Sequence, residues 1–474
     1  MQQLLTWQHC GRPAKRPWRW QALASDPSRA VADEIRDAAT KRWQRTKAFA
    51  AAALFKRETN ALNARRYSRC TGAEAVLLNP PALPLGEADM DELYALPFAR
   101  QPHFSYGRRR IPAFETVKHS VVSMRGCFGG CTFCSITEHE GRIIQSRSEN
   151  SVLAELRELS RMDGFSGVVS DLGGPTANMY KLRCKDEHIE RACRKFSCVH
   201  PKVCENLGTD HTPLLELLGK ARALPGVDRI FIASGIRYDL AEKSPRFIRE
   251  LAEHHTGGQL SVAPEHVNPS VLDKMKKPGV DVYERFARAF SCASEAAGKE
   301  QYLVPYFITG HPGSTLADTI ELALYLKRNG MRPRQVQDFI PTPMAVATAM
   351  YHTGIDPLTG EPVPVARELR DKRRMKALIL WWDPEQWPLA REALTLAGRK
   401  DLIGGGPNCL IPNRHPTSAE PGEGRWYKPK RDERRTQSAP HRRASDAQGG
   451  GKRRGRGDAP GEGPPPARAG RRVR

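Results

Sequence analysis

No stretch of the 474-residue sequence approaches the roughly 20 consecutive apolar residues needed to span a bilayer. The start, MQQLLTWQHCGRPAKRPWRW, has a basic patch but lacks the continuous apolar segment of a secretory signal. No membrane partner is therefore expected, and the address is read as cytoplasmic. Without export, the 11 cysteines do not read as a disulfide scaffold, because the cytosol keeps thiols reduced. Acidic residues are also in short supply, 53 against 75 Lys and Arg, which leaves a net charge of +22. No internal repeat is present beyond an alternating strand–helix unit.

The missing acid is unevenly distributed. From Arg425 onward there are 16 basic and 5 acidic residues, a net of +11, so half of the excess charge sits in the tail. That tail, ending GGGKRRGRGDAPGEGPPPARAGRRVR, is too poor in apolar residues to offset its ordering entropy. It is expected to be disordered and solvated, with nucleic acid as the partner its charge would suit.

What is present divides the chain. Residues 1–60 read as a basic start with a helical stretch over 28–56. Residues 61–116 form an adapter with turn signals (NPPALP, SYGRRRIP) and an acidic helix over 86–96. Residues 117–385 form the core, 386–412 a closing segment and 413–474 the tail. In the core, apolar or β-branched runs at 117–124, 167–172, 227–233, 259–263, 302–308 and 335–340 predict six strands. Amphipathic stretches near 149–161, 212–223, 244–255, 281–297 and 315–329 predict the helices between them. Ser244 before Pro245, and Thr315 before Asp318, are helix starts. The fold class is α/β, a partial (βα)6 TIM-like barrel. Residues 347–365 read as a hairpin-like excursion, and 366–405 as two closing helices in which Trp381, Trp382 and Trp387 are packing anchors.

The segments just past each predicted strand are RGCFGGCTFC, GGPTANMY, SGIRYD, PEHVNP, TGHPGST and PTPM. All six are rich in Gly, Pro, Cys, His or charge, as a shared site at one end of such a barrel requires. The first contains Cys127, Cys131 and Cys134, separated by glycines that let the loop wrap a compact object. Three thiolates suit an iron–sulfur cluster with one iron open to another ligand. Zinc is the alternative, with His139 near enough in sequence to serve as a fourth ligand.

The CxxxCxφC pattern, with aromatic Phe133 before the last cysteine, resembles the radical S-adenosylmethionine (SAM) superfamily over residues 117–385. The strings MRGCFGGCTFCSITEHEGRIIQSRS, GGPTANMY, VAPEHVNPSVLDKMKKP, YFITGHPGST and DFIPTPMAVATAMYHTG resemble the narrower YgiQ family. The resemblance implies a [4Fe–4S] cluster on the three cysteines, whose open iron chelates SAM. An electron from a flavodoxin- or ferredoxin-type donor would then generate a 5′-deoxyadenosyl radical that abstracts hydrogen from a substrate. It further implies that the backbones of Gly173 and Gly174 meet the SAM amino group, although Pro175 stands where the superfamily usually has Glu. Ser234 and Arg237 are implied for the ribose and the methionyl carboxylate, Glu265 for ribose hydroxyls, and Ile308 and Gly310 for adenine. YgiQ proteins generally have a longer region ahead of the core, so the chain reads either as a fragment or as having a misassigned start.

A second cysteine group, Cys184, Cys193, Cys198 and Cys204, lies in a charged insertion at 175–211, far longer than an ordinary βα loop. With little core of its own, it is expected to need a metal, either an auxiliary iron–sulfur cluster or a structural zinc with His188 and His200 nearby. Cys10, Cys70, Cys292 and Cys409 are read as buried, inert thiols. Two other functions fit parts of the pattern: an RNA-modifying, methylthiotransferase-like enzyme, and a zinc-stabilised nucleic-acid-binding protein without catalysis.

Overall fold

The chain is seen here in a computed structural model that describes residues 7–9, 20–22, 53, 56–71, 74–107, 109–334 and 336–413. The expected tail beyond Asn413 lies outside the described residues, as does the expected helix over 28–56 apart from Ala53 and Lys56. No helix among the described residues is long and apolar enough to cross a membrane.

Ahead of the core, β1 (Trp7–His9), β2 (Trp20–Ala22), β3 (Tyr67–Thr71) and β4 (Glu74–Leu78) make an antiparallel sheet in the order β1-β4-β3-β2. The sequence reading gives only an acidic helix here, which is present as Glu87–Tyr94. The sheet has no clear alternating pattern to reveal it.

The core strands run parallel. β5 (Ser120–Val122) is followed by a short antiparallel pair, β6 (Met124–Arg125) with β7 (Gln145–Ser146). β8 (Val168–Val169) and β9 (Asp171–Gly173) form the second strand position, and β10 (Arg229–Ile230) the third. β5 pairs with β9 and β8 with β10, while Leu172 N donates to Phe231 O at 2.9 Å. β11 (Gln259–Glu265), β12 (Tyr302–Thr309) and β13 (Gln337–Asp338) form a second parallel group. Among the described residues no ladder joins β10 to β11, and Ile232 N donates instead to His255 O at 3.0 Å. The sheet is thus two parallel arcs, a coarser arrangement than one continuous six-strand barrel wall.

All six strand positions and all five helices between them fall where periodicity puts them, with shifts at the edges. Val117 ends the helix Pro112–Val117 and does not open the first strand. Pro112, with its fixed φ, starts a helical turn there and carries the chain past Val117. The strand expected over 227–233 contracts to β10, and that over 335–340 to β13. Residues 347–365 are not simply a hairpin. Val346–Thr353 is a helix ended by Gly354 at φ +74°, and only then does Ile355 bridge Pro362. The Ala-rich run favours helix, and its inner face buries Val346, Ala347, Ala349 and Met350. Both anticipated caps form, Ser244 accepting from Phe247 N and Thr315 from Asp318 N.

The first arc and its helices share a core that includes Val121, Leu172, Ile230, Leu156, Leu217 and Phe286. A second core packs Phe307 of β12 against Leu322, Leu378 and Leu394, with Trp381 and Trp387 at its margin. Between the adapter and β5 lies a buried ionic knot. Arg147, 1 % exposed, stacks 4.2 Å from the Tyr94 ring and donates to Val122 O at 2.8 Å. Glu155 pairs with both Arg147 and Arg100, and Arg100 also reaches Ser120 O at 3.1 Å. Glu155→Ala leaves two largely buried guanidinium groups without their anion, so a loss of roughly 3–5 kcal/mol is expected. Urea unfolding measures it; a loss below about 1 kcal/mol, the value of a surface pair, would show the knot to be dispensable.

Candidate functional site

The cysteine loop leaves β6 through Gly126, whose φ of +90° and position 2.7 Å (Cβ-equivalent) from Ile143 O admit no side chain. Cys127 N donates to Gly141 O at 3.0 Å, and Thr137 Oγ1 donates to Cys127 O at 3.1 Å. A side chain at Gly129 would lie 3.2 Å from Cys127 Sγ, 3.2 Å from Arg237 Nη1 and 3.9 Å from Cys131 Sγ. That bare backbone therefore marks the point where two thiols and a guanidinium converge. The far end of the loop is fastened to the second arc. Thr132 N donates to Met275 O at 3.1 Å, and its hydroxyl lies 3.3 Å from His311 Nε2. The loop touches both groups of strands.

Burial, reinforced by the neighbouring Cys131, raises the Cys127 thiol above its ordinary pKa, and burial pushes Cys134 up to about 12. Such thiols give up their protons readily only to a metal. The donors are all sulfur, which suits iron–sulfur chemistry. Three sulfurs from one short loop leave an iron of a cubane cluster without a protein ligand, whereas a structural zinc takes four. The residues fit a polynuclear cluster.

Arg237 is the cation of this loop. Burial opposes its charge, but Asp239 and the Cys131 and Cys127 sulfurs hold its pKa well above the ordinary value. Its Nε donates to Asp239 Oδ1 at 2.9 Å and its Nη1 stands 3.7 Å from Cys131 Sγ. Asn178 clamps its backbone from both sides, accepting from Arg237 N at 2.8 Å and donating to Arg237 O at 2.9 Å.

The other residues singled out in the sequence fall around this loop in two sets. Gly173 and Ser234 meet at the ends of β9 and β10, where a Cβ on Gly173 would lie 2.2 Å from Ser234 Oγ. Gly174 packs on Met124, with 2.6 Å between its Cβ-equivalent point and Met124 O. Glu265 ends β11 at φ +69°, buried, and burial raises its carboxyl pKa against the pull of Lys277 and Arg237. In the second set Phe133 and Ile308 share a small core with Met275 and Phe339, and the Phe133 ring is edge-on to His311 at 6.0 Å. Gly310 follows at φ +66°.

Three positioning residues escaped the sequence reading. Asp171 accepts from Ala233 N at 2.7 Å and Ser234 N at 3.0 Å, so it sets the Ser234 turn. Asn178 and Asp239 fix Arg237. Both stand inside strings already marked as loop segments, GGPTANMY and SGIRYD, and a carboxylate two residues after an arginine was the available signal.

The insertion lies directly on the cysteine loop. Ser197 Oγ donates to Gly129 O at 2.6 Å, and Cys198 N donates to Phe128 O at 3.1 Å. Its helix, Glu187–Ala192, is capped by Asp186, which accepts from Ile189 N at 3.0 Å. Asn60 donates to the carbonyls of Glu190 and Cys193 at 2.8 and 2.9 Å, and Arg194 pairs with Glu58 at 2.8 Å. Of the thiols expected to be buried and inert, Cys292 is exposed and Cys409 half-buried. Cys292 sits on the helix Val280–Ala296, whose buried face is formed by Tyr283, Phe286, Phe290 and Ala293. The side chains of Cys10 and Cys70 lie outside what is described.

Compared with family models, residues 28–120 match the Radical SAM N-terminal region and residues 121–326 the Radical SAM superfamily, together more than half of the chain. The chain belongs to the radical SAM superfamily. This radical SAM chain is 53% identical over 382 residues to a UPF0313 protein of Rhodopseudomonas palustris, covering 79% of its own length and 56% of that protein. It is 51% identical over 381 residues to the UPF0313 protein YgiQ of Salmonella typhimurium, covering 79% and 52%. The YgiQ resemblance read from the sequence is thereby borne out. The chain spans about half the length of the curated relatives it matches. Residues 334–471 match a domain of unknown function. Among solved structures, the radical SAM methyltransferase TsrM of Kitasatospora setae aligns with 16% identity and a TM-score of 0.33, over 61% of this chain and 51% of that one.

Proposed function

We propose that this chain is the catalytic part of a radical SAM enzyme, with a [4Fe–4S] cluster held by Cys127, Cys131 and Cys134. Two thiols and a buried arginine meeting across the bare Gly129 backbone, with Cys134 further along the same loop, carry the reading. When bound with SAM and reduced by a flavodoxin- or ferredoxin-type donor, such a cluster supplies one-electron cleavage of a C–S bond, giving methionine and a 5′-deoxyadenosyl radical that takes hydrogen from a substrate.

The chain's own residues bind and orient. We read the six strand positions as the arc of a partial (βα)6 barrel, with the site at the carboxyl ends of the strands. Arg237, held by Asp239 and Asn178, offsets the thiolate charge and faces a carboxylate with a fixed guanidinium. The backbones of Gly173 and Gly174 meet an ammonium group, Ser234 and Glu265 meet ribose hydroxyls, and Ile308 and Gly310 flank an adenine. The cysteine loop meets Arg237 on one side and Met275 and His311 on the other, which supports reading these groups as surrounding a single cofactor. The insertion lies over the loop and excludes water and oxygen from it.

Anaerobic reconstitution tests this. The expected protein is brown, carries at least about four irons per chain, and on reduction converts SAM to 5′-deoxyadenosine. Colourless protein that retains zinc and leaves SAM intact would overturn the proposal.

A further inference from the structure

The insertion carries a second constellation that the SAM site does not use. Cys184, Cys193, Cys198 and Cys204 all line one cavity of about 70 Å³ beside Phe128. That volume holds several water-sized objects. The four thiols arrive by separate routes. Cys184 bridges Leu207, Cys193 follows the helix Glu187–Ala192, and Cys204 N donates to Cys198 O at 2.8 Å, closing a small loop.

Side-chain cations reach three of these sulfurs. Arg142 Nη2 lies 3.3 Å from Cys193 Sγ and 3.6 Å from Cys198 Sγ, and Lys195 Nζ lies 3.5 Å from Cys204 Sγ. A guanidinium placed between two sulfurs is a donor from which cluster-bound sulfurs would accept. None of the four cysteines is in a disulfide. Four thiols lining one cavity, with the buried Arg142 beside two of them, fit a holder for a polynuclear cluster.

We infer that Cys184, Cys193, Cys198 and Cys204 hold an auxiliary iron–sulfur cluster, separate from the SAM site and joined to it through the Cys198–Phe128 backbone hydrogen bond. With all four irons ligated by protein, it has no vacant position for SAM. It also gives the charged insertion the internal bond that its few apolar residues cannot provide.

The test does not depend on the first cluster. The full chain carrying Cys127→Ala, Cys131→Ala and Cys134→Ala is reconstituted anaerobically with ferrous iron and sulfide. It is expected to retain about four irons and about four sulfides per chain, with an electron paramagnetic resonance signal on reduction that SAM does not alter. Less than about one iron per chain, or a stoichiometric zinc that excludes iron, would overturn the inference. If the triple variant does not fold, Cys193→Ser with Cys198→Ser in the otherwise intact chain decides. It should lose about half of the iron and keep a SAM-responsive signal, and an unchanged iron count would overturn the inference.

Discussion

Cys131→Ala is expected to drop 5′-deoxyadenosine formation below detection and to lower iron by about four per chain. Two remaining sulfurs cannot fix a cubane against water and oxygen. Arg237 would also lose the sulfur 3.7 Å from its Nη1. Cys198→Ala is the informative contrast, because its thiol faces the insertion cavity while its backbone amide, unaffected by the change, still bonds Phe128 O. That variant should keep SAM cleavage and lose only the insertion's iron. Full SAM cleavage by Cys131→Ala would mean that the loop is not the cluster site. Equal loss in both variants would make the insertion an inseparable part of the core fold.

Gly130→Ala is expected to have the second-largest effect. Gly130 has φ +69°, and a Cβ there would lie 2.3 Å from Phe196 O. A left-handed alanine alone costs about 1–2 kcal/mol. The larger penalty is a backbone oxygen with nowhere to move, because Ser197 is tied to Gly129 O and Cys198 to Phe128 O. A total loss of 3 kcal/mol or more is expected, with the insertion lifted from the cysteine loop. Limited proteolysis should then cut within 175–211. Gly164→Ala provides the control, since φ is +76° there but nothing lies within 4 Å of the added carbon. Its cost should be that of the left-handed backbone alone, and equal destabilisation by the two variants would refute the role given to Phe196 O.

These contacts show which parts of the site could be read in advance. The cysteine loop and the strand-end glycines are local patterns, and periodicity placed every core strand to within a few residues. The boundaries failed where a single residue governs, as at Pro112, which keeps Val117 in a helix. The positioning residues were harder. Asp171 reaches Ser234 from 63 residues away and Asn178 reaches Arg237 from 59, so neither leaves a mark in its own neighbourhood. The outer strands of the antiparallel sheet ahead of the core likewise pair over long separations, as in Trp20 with Arg69, whereas β3 and β4 form a local hairpin.

The grip of Asn60 on the insertion also imposes an order in time. Its amide bonds Glu190 O, 130 residues further along the chain, and Cys193 O, 133 residues further along. Contacts that close such long loops form late, after the intervening strands have reduced the entropy of bringing the ends together. During synthesis the segment around Asn60 must therefore wait, unsatisfied, until the insertion has emerged and settled on the cysteine loop. The segment around Asn60, made before the insertion, is thus among the last to complete its native contacts.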